Sequence, residues 1–161
     1  MLIRQPQVSD FPRILEINTT EEEKTSRIDL ARITQLDSWS DYHRVMAVED
    51  VIVGFLLVMS EASDYDGDNF RWFVERYSRF LYVDRIVIDR TFARRGAGSA
   101  LYADLIKFAA TQSWSTLCCE INVSPPNPVS HAFHAGFGFK EVGRSGTVGA
   151  SKVVSYQVAE I

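Results

Sequence analysis

The sequence contains little cysteine. Two of its 161 residues are cysteines, Cys118 and Cys119, and they are adjacent in the chain. Adjacent cysteines are poorly placed to form a structural disulfide, and this pair does not show the spacing of metal ligands. The pair therefore predicts a reduced protein in which both thiols are small strand residues.

Long hydrophobic runs are also absent. The longest apolar stretch, residues 51–59, fits a buried strand and falls well short of the roughly 18 to 20 residues of a membrane span. The first four residues carry neither a basic leader nor an apolar segment with a cleavage site. We therefore expect no membrane association and a cytoplasmic location.

An excess of positive charge is missing as well. The chain has 17 Lys and Arg against 21 Asp and Glu, with a net charge of −4 and a pI near 5.4. Proteins that hold nucleic acid usually present a basic face to its phosphates. The tight basic cluster of Arg90, Arg94 and Arg95 is too local for a duplex. Nucleic acid is therefore not expected as a partner, whereas a small phosphate ligand is compatible with the charge.

Helical spacing and β-rich runs alternate along what we expect to be one domain, residues 1–161. The first predicted helix begins at Ser9. Further helices are predicted at about 27–37, 70–77, 97–112 and 129–135. The predicted strands are 44–48, 51–59, 80–88, 117–123, 139–143 and 153–158. Helices between strands, with antiparallel patterns at both ends, predict an α/β fold with a mixed sheet covered on two faces.

Two glycines stand between a buried strand and an apolar helix. The strand ends near Ile88, and Gly96 and Gly98 open the helix that follows. A helix N-terminus offers free N–H groups, and glycine lets a phosphate approach them closely. A third glycine is absent, since Leu101 takes its place, and no lysine follows, so the dinucleotide and P-loop patterns both fail. A small anion site and a plain tight turn are equally compatible with this segment.

The surrounding residues resemble the GNAT N-acetyltransferases. Residues 94–98, Arg-Arg-Gly-Ala-Gly, resemble the acyl-CoA signature Arg/Gln-x-x-Gly-x-Gly/Ala of that family. The second family signature follows 31 residues after Gly96, with its spacing intact, at Asn127, Ser130, Phe133, His134, Gly138 and Phe139. The resemblance covers about residues 81–142. It implies the GNAT fold, a twisted mixed sheet of six or seven strands flanked by helices, with acetyl-CoA as cosubstrate and no metal.

The resemblance also assigns the cosubstrate contacts. Pyrophosphate would lie on the loop formed by Arg94, Arg95, Gly96, Ala97, Gly98 and Ser99. Pantetheine would pair with the backbone of Ile86, Val87 and Ile88, where two parallel strands splay apart in this family. The amide of Val87 or its neighbour would polarise the thioester carbonyl. The other wall of the channel would be formed by Asn127, Ser130 and Phe133.

The sequence departs from the family pattern at two positions. Ala93 occupies the usual Arg/Gln position, so one side-chain contact to the phosphates is missing. His134 occupies the position of the tyrosine that commonly protonates the departing thiolate. A histidine titrates near ~6.5 and can act as a general acid where it stays partly protonated. We expect this role for His134, with a packing histidine as the alternative.

Glu120 is the first candidate for the catalytic base. Strand alternation places Cys118, Glu120 and Asn122 on one face, and several family members carry a catalytic glutamate at a similar place. The alternative is a structural carboxylate paired with an arginine.

Tyr82 and Asp84 share a face of the preceding strand and are candidate substrate-binding residues. Alternation places Arg85 on the opposite face. Buried charges need partners, so Asp84 either has a structural partner or reaches the acceptor pocket.

Two other patterns favour structural interpretations. His131 and His134 lie on one helix face, but no third metal ligand is evident, so we expect no metal site. The acidic residues between 61 and 69 indicate a solvated loop. If this loop borders the acceptor site, its charge favours a cationic substrate.

Together these features predict transfer of acetyl from acetyl-CoA to a primary amine by direct attack in a ternary complex. A small-molecule amine is the expected acceptor rather than a protein, because no peptide-binding extension is evident. The alternative is a non-catalytic acyl-CoA-binding module of the same fold, which the missing tyrosine favours. Dimers are common in the family, so the resemblance also admits a homodimer.

Overall fold

The protein is described here from a computed structural model, which covers residues 1–21, 25–146 and 151–161. These residues form seven strands of one mixed sheet with five α-helices, which confirms the predicted fold class. The strands are β1 (Leu2–Arg4), β2 (Tyr42–Val48), β3 (Val51–Ser60), β4 (Leu81–Ile88), β5 (Thr116–Ser124), β6 (Lys140–Ser145) and β7 (Val153–Glu160). The α-helices are α1 (Phe11–Thr19), α2 (Leu30–Trp39), α3 (Asp68–Val74), α4 (Ala97–Thr111) and α5 (Pro128–Ala135). In the described part of the chain, no helix combines the length and apolarity that crossing a membrane requires.

The strand order creates an opening in the middle of the sheet. The order is β1-β2-β3-β4-β5-β7-β6, and β4 and β5 are parallel while the other neighbours are antiparallel. The pairing of β4 with β5 extends only over Leu81 with Leu117 and Tyr82 with Cys118. Beyond Tyr82 the two strands diverge, as the resemblance implies. The gap between them is the place where a ligand can enter the sheet.

Helices cover both faces of the sheet and bury its apolar side chains. On one face, α4 contributes Leu101 and Leu105, which are fully buried against the strands. On the other face, α1, α2 and α3 contribute Ile14, Ile33 and Phe73. This burial of apolar area supplies the main free energy that holds the sheet and fixes the position of the gap.

A β-bulge in β4 interrupts the alternation of side chains. Leu57 pairs with Arg85, but the next residue, Val58, pairs with Val83, so Asp84 has no partner of its own on β3. An extra residue in one strand shifts the side chains that follow it to the other face. The prediction that Arg85 points away from Asp84 is therefore wrong. The two side chains are adjacent and form an ion pair of 2.7 Å.

Candidate active site

A cavity of about 800 Å³ occupies the gap between β4 and β5. Its walls include both strands, the N-terminal turn of α4, part of α5, and residues from the α1–α2 and β3–α3 connections. It brings together nearly all of the residues predicted for the site, namely Tyr82, Asp84, Ile86, Val87, Ile88, Arg94, Gly96, Ala97, Gly98, Ser99, Glu120, Asn127, Ser130, Phe133 and His134. Arg95 is the predicted residue that does not line the cavity, and its guanidinium lies over the Phe92 ring instead.

Glycine is favoured at each of the two positions at the start of α4, for a different structural reason. Gly96 caps the helix with φ of +82°, a conformation that side chains rarely adopt. A Cβ atom at Gly98 would lie 3.3 Å from the Phe133 ring, so glycine permits the close approach of α4 and α5. The first turn of this 15-residue helix opens into the cavity. Its free N–H groups and positive dipole end can hold a phosphate group.

Two contacts anchor the loop that precedes α4. Asp89 accepts hydrogen bonds from the backbone N–H and hydroxyl of Thr91 and forms an ion pair with Arg13 of α1. Arg90 donates to Glu21 at 3.1 Å and to the backbone carbonyl of Thr20. The phosphate loop is therefore held against the end of α1 before any ligand binds.

The edge of β4 that faces the gap presents the backbone groups of alternate residues. The Asp89 N–H donates to the Val53 carbonyl of β3, and Val87 pairs with Phe55 two residues earlier. By alternation the backbone groups of Val87 also face β3, so those of its neighbours Ile86 and Ile88 face the gap. The sequence left open whether the backbone of Val87 or that of its neighbours would contact the ligand. In the structure, the neighbours Ile86 and Ile88 are the residues able to pair with an extended ligand.

Glu120 lies on the opposite wall of the gap, on β5. Its carboxylate accepts a 2.5 Å hydrogen bond from the hydroxyl of Tyr82 on β4. The pKa of Glu120 is raised to about 7, chiefly because the carboxyl is removed from water; the Tyr82 hydrogen bond lowers this pKa, and the negative charge of Asp84 raises it. Burial also raises the pKa of Tyr82 well above its usual value, so its hydroxyl stays protonated. Near neutral pH, Glu120 can both accept and release a proton.

His134 lines the cavity, but both ring nitrogens are engaged. Its Nδ1 lies 2.8 Å from the carbonyl oxygen of Ser130, which can only accept a hydrogen bond. The ring proton therefore lies on Nδ1, and Nε2 accepts from the hydroxyl of Tyr102 at 2.7 Å. Burial lowers the pKa of His134. The protonated form that the expected acid role requires is thus disfavoured at neutral pH.

Arginine partners offset much of the negative charge at the other end of the cavity. Asp84 is paired with Arg85, and Asp66 of the acidic loop is paired with Arg32 at 2.6 Å. The expectation that the loop favours a cationic substrate therefore loses much of its electrostatic basis. His131 donates from Nε2 to the backbone carbonyl oxygen of Asn122 at 3.0 Å, which gives it a structural role. Among the described residues, no group of three His, Cys, Asp or Glu could hold a metal ion.

Sequence reasoning missed several residues that line the cavity, among them Tyr65 and Ser26. Tyr65, in the β3–α3 connection, and Ser26, in the α1–α2 connection, both border the end of the cavity near Asp84. Each lies in an irregular segment, where neither periodicity nor a motif indicates which way a side chain points. The one indirect signal was the pair of charges at Asp84 and Arg85, which called for buried polar partners.

Comparison with known proteins agrees with this geometry. The sequence matches the model of the Acetyltransferase (GNAT) family over residues 11–139. The chain belongs to the GNAT acetyltransferase family. No curated protein sequence matches this GNAT protein significantly.

Solved structures share the fold of this GNAT protein at low sequence identity. A ribosomal-protein-alanine N-acetyltransferase from Brucella melitensis is 21% identical, with 100% of both chains covered and a TM-score of 0.73. Naa20 from Chaetomium thermophilum, in complex with a bisubstrate analogue, is 13% identical over 100% of this chain and 87% of its own, with a TM-score of 0.78. Naa50 from Arabidopsis thaliana, in complex with the bisubstrate analogue CoA-Ac-MVNAL, is 11% identical over 99% and 98%, with a TM-score of 0.76.

Proposed function

We propose that this protein transfers acetyl from acetyl-CoA to a primary amine by direct attack in a ternary complex. The observation that carries the proposal is the position of Glu120, whose carboxylate has a pKa of about 7 and faces the free edge of β4 across the cavity. A carboxylate with this pKa can take a proton from an amine at neutral pH. The solved relatives bound to a CoA-containing bisubstrate analogue support the choice of donor.

The donor would extend from the α4 N-terminus along β4. Pyrophosphate would lie on the N–H groups around Gly96, Ala97 and Gly98, and pantetheine would pair with the free backbone groups of Ile86 and Ile88. This path brings the thioester toward the Glu120 end of the gap. A backbone N–H of β4 aimed at the carbonyl oxygen would stabilise the negative charge that develops there.

The proposed reaction consists of attack by the amine on the thioester carbonyl and departure of CoA, with one proton lost and one gained. The amine loses a proton to Glu120, directly or through a water molecule, and its nitrogen forms a bond to the carbonyl carbon. The carbon–sulfur bond breaks, and CoA leaves as a thiolate that takes up one proton. Because the Nδ1 proton of His134 is held by Ser130, we assign the thiolate's proton to solvent in the cavity, and the acid role of His134 is the alternative to be tested.

The proposed acceptor is a primary amine, which can belong to a small molecule or to a protein. We favour a small-molecule amine because no peptide-binding extension is evident in the sequence. A protein acceptor is suggested by two of the similar structures. The Brucella protein is named a ribosomal-protein-alanine N-acetyltransferase, and the Arabidopsis protein is bound to the bisubstrate analogue CoA-Ac-MVNAL. Both classes therefore belong in the same experiment.

The test measures release of free CoA thiol from acetyl-CoA with a panel of amines. The panel contains aliphatic diamines, amino acid amides and short peptides with free N-termini. We expect release with at least one member and a loss of about 100-fold in the Glu120→Gln variant. Acetyl-CoA binding by calorimetry without release by any member would favour the non-catalytic module instead. Failure of the folded protein to bind acetyl-CoA would refute the proposal.

Two further expectations accompany this function. Both cysteines are buried free thiols, which agrees with a reducing compartment, and we propose a cytoplasmic location on that basis. A homodimer stays a prediction of the family resemblance, and light scattering of the purified protein would test it.

A further inference from the structure

A chain of buried hydrogen bonds crosses the acceptor end of the cavity, centred on the bulge residue Asp84. One carboxylate oxygen, Oδ1, accepts a 2.5 Å hydrogen bond from the hydroxyl of Tyr65. The other oxygen, Oδ2, accepts a 2.7 Å hydrogen bond from Nε of Arg85. The side chains of Asp84 and Arg85 are 3% and 4% exposed. Both oxygens of Asp84 are thus committed within the protein, and its charge is neutralised by its neighbour.

The guanidinium of Arg85 continues the chain to the α1–α2 connection. Its Nη1 donates to the Ser26 carbonyl oxygen at 2.9 Å and to Oδ1 of Asn18 at 3.1 Å. Its Nη2 donates to the Ser26 hydroxyl at 2.9 Å. One rigid, planar group therefore fixes Ser26 at both its backbone and its side chain.

A second link joins the same two regions on the outer side. Arg32 of α2 forms an ion pair with Asp66, the residue that follows Tyr65. The Arg32 guanidinium also lies over the Trp39 ring at 5.3 Å and the Tyr65 ring at 6.0 Å. The α1–α2 region and the β3–α3 connection are therefore joined both inside the cavity and at its rim.

We propose that Asp84 and Arg85 are positioning residues that hold the acceptor pocket in shape by tying Ser26 to Tyr65. We call the four residues Ser26, Asp84, Arg85 and Tyr65 the acceptor clamp. This inference rests on the proposed function, because it identifies the end of the cavity near Glu120 as the acceptor site. It assigns Asp84 a role other than base, since a carboxylate with both oxygens engaged and an arginine alongside is poorly available to an amine.

The energetics of a buried ion pair support a positioning role. Desolvation of both charges offsets most of their attraction, so such a pair adds little net stability compared with apolar residues of the same size. Its directional hydrogen bonds nevertheless fix where its partners lie. In this protein the partners, Ser26 and Tyr65, lie in the two irregular segments that line the acceptor end.

Hydrogen exchange tests the clamp without knowledge of the acceptor. Tyr65→Phe removes one hydroxyl and keeps the ring, and Tyr77→Phe is the matched control, since Tyr77 belongs to the same aromatic cluster but does not line the cavity. In the full-length protein, we expect Tyr65→Phe to speed amide exchange about tenfold both in residues 61–67 and in residues 25–30, as loss of one charge-assisted hydrogen bond implies. Faster exchange in 61–67 alone would show that the two segments are independent and would overturn the proposal.

Kinetics separates positioning from catalysis. With the amine that gives the highest CoA release, we expect Tyr65→Phe and Ser26→Ala each to raise the KM for the amine about three- to tenfold, with little change in the KM for acetyl-CoA. The double variant should cost less than the product of the two effects, because each change opens the same clamp. If Asp84→Asn instead lowers kcat at unchanged KM and removes the ionisation near pH 7, Asp84 is the base and the clamp is refuted. If no amine reacts, the exchange result still decides the clamp, so its failure is distinct from failure of the proposed function.

Discussion

Because the pKa of Glu120 is raised, ionisation of this candidate base lowers the free energy of unfolding by an amount that can be measured. An unfolded glutamate ionises near the ordinary value of 4.5, whereas folded Glu120 ionises at about 7. Between these pH values the folded protein holds a proton that the unfolded chain has released, so stability falls as pH rises through this window. With 1.36 kcal/mol for each pKa unit, the full cost is about 3 kcal/mol above pH 7 and nearly zero below pH 4.5.

Glu120→Gln removes this ionisation while it keeps the shape of the side chain. We expect its free energy of unfolding, relative to the natural protein, to rise by about 3 kcal/mol between about pH 4.5 and pH 8.5. Urea unfolding, followed by the fluorescence of the three tryptophans, measures this at each pH. The same variant should lose the rise of kcat/KM with pH through 7 that ionisation of the base produces.

A control of opposite sign accompanies this experiment. Arg144 and Ser155 hold the pKa of Glu141, on β6, below its usual value, so Glu141→Gln should lose stability relative to the natural protein as pH rises through the acidic range. A pH-independent effect of Glu120→Gln, with the Glu141→Gln control behaving as stated, would refute the assignment of a desolvated base. A gain of stability without loss of activity would mean that Glu120 is buried but not catalytic.

Three further predictions concern the cosubstrate channel. Gly98→Ala should weaken acetyl-CoA binding about tenfold in calorimetry, because the new methyl group lies 3.3 Å from the Phe133 ring; unchanged affinity would show that α5 moves freely. His134→Gln should change kcat by less than about threefold and leave its pH profile unaltered, whereas a loss of 100-fold or more would assign the acid role to His134. Added CoA should slow amide exchange at Ile86 and Ile88, and equal exchange with and without CoA would exclude pairing along β4.

The parts of the fold that follow from local pattern could be predicted. The helix after Gly96 and the strands around Phe55 and Glu120 lie where periodicity and glycine placement indicated them. The short strand β1 was missed, because three residues of which none is buried leave almost no periodic signal. Helix α2 begins at Leu30 rather than near residue 27, because the side chain of Asp29 caps it by accepting from the Arg32 N–H.

Side-chain orientations and protonation states that depend on contacts with residues distant in the sequence could not be predicted. The bulge at Asp84 depends on its register with β3, so alternation within β4 gave the wrong face for Arg85. The state of His134 depends on Tyr102, 32 residues away on another helix. In both cases the sequence identified residues that line the cavity, whereas the tertiary neighbours determine the direction and the hydrogen bonds of their side chains.

The bulge and the divergence of the central strands together explain why the proposed site lies at this point of the sheet. After Tyr82, β4 leaves β5, and the backbone groups of Ile86 and Ile88 face the cavity instead of a neighbouring strand. Because these backbone groups have no strand partner, an extended ligand that supplies amide groups can pair with them. Between Tyr82 and Ile86, the bulge turns Asp84 and Arg85 to the same face and ties the acceptor segments to the strand proposed to hold the donor. The proposed donor edge and acceptor pocket are therefore both positioned by β4, and Tyr82 of the same strand contacts the proposed base, Glu120 of β5, so a shift of one residue in β4 would disturb all three.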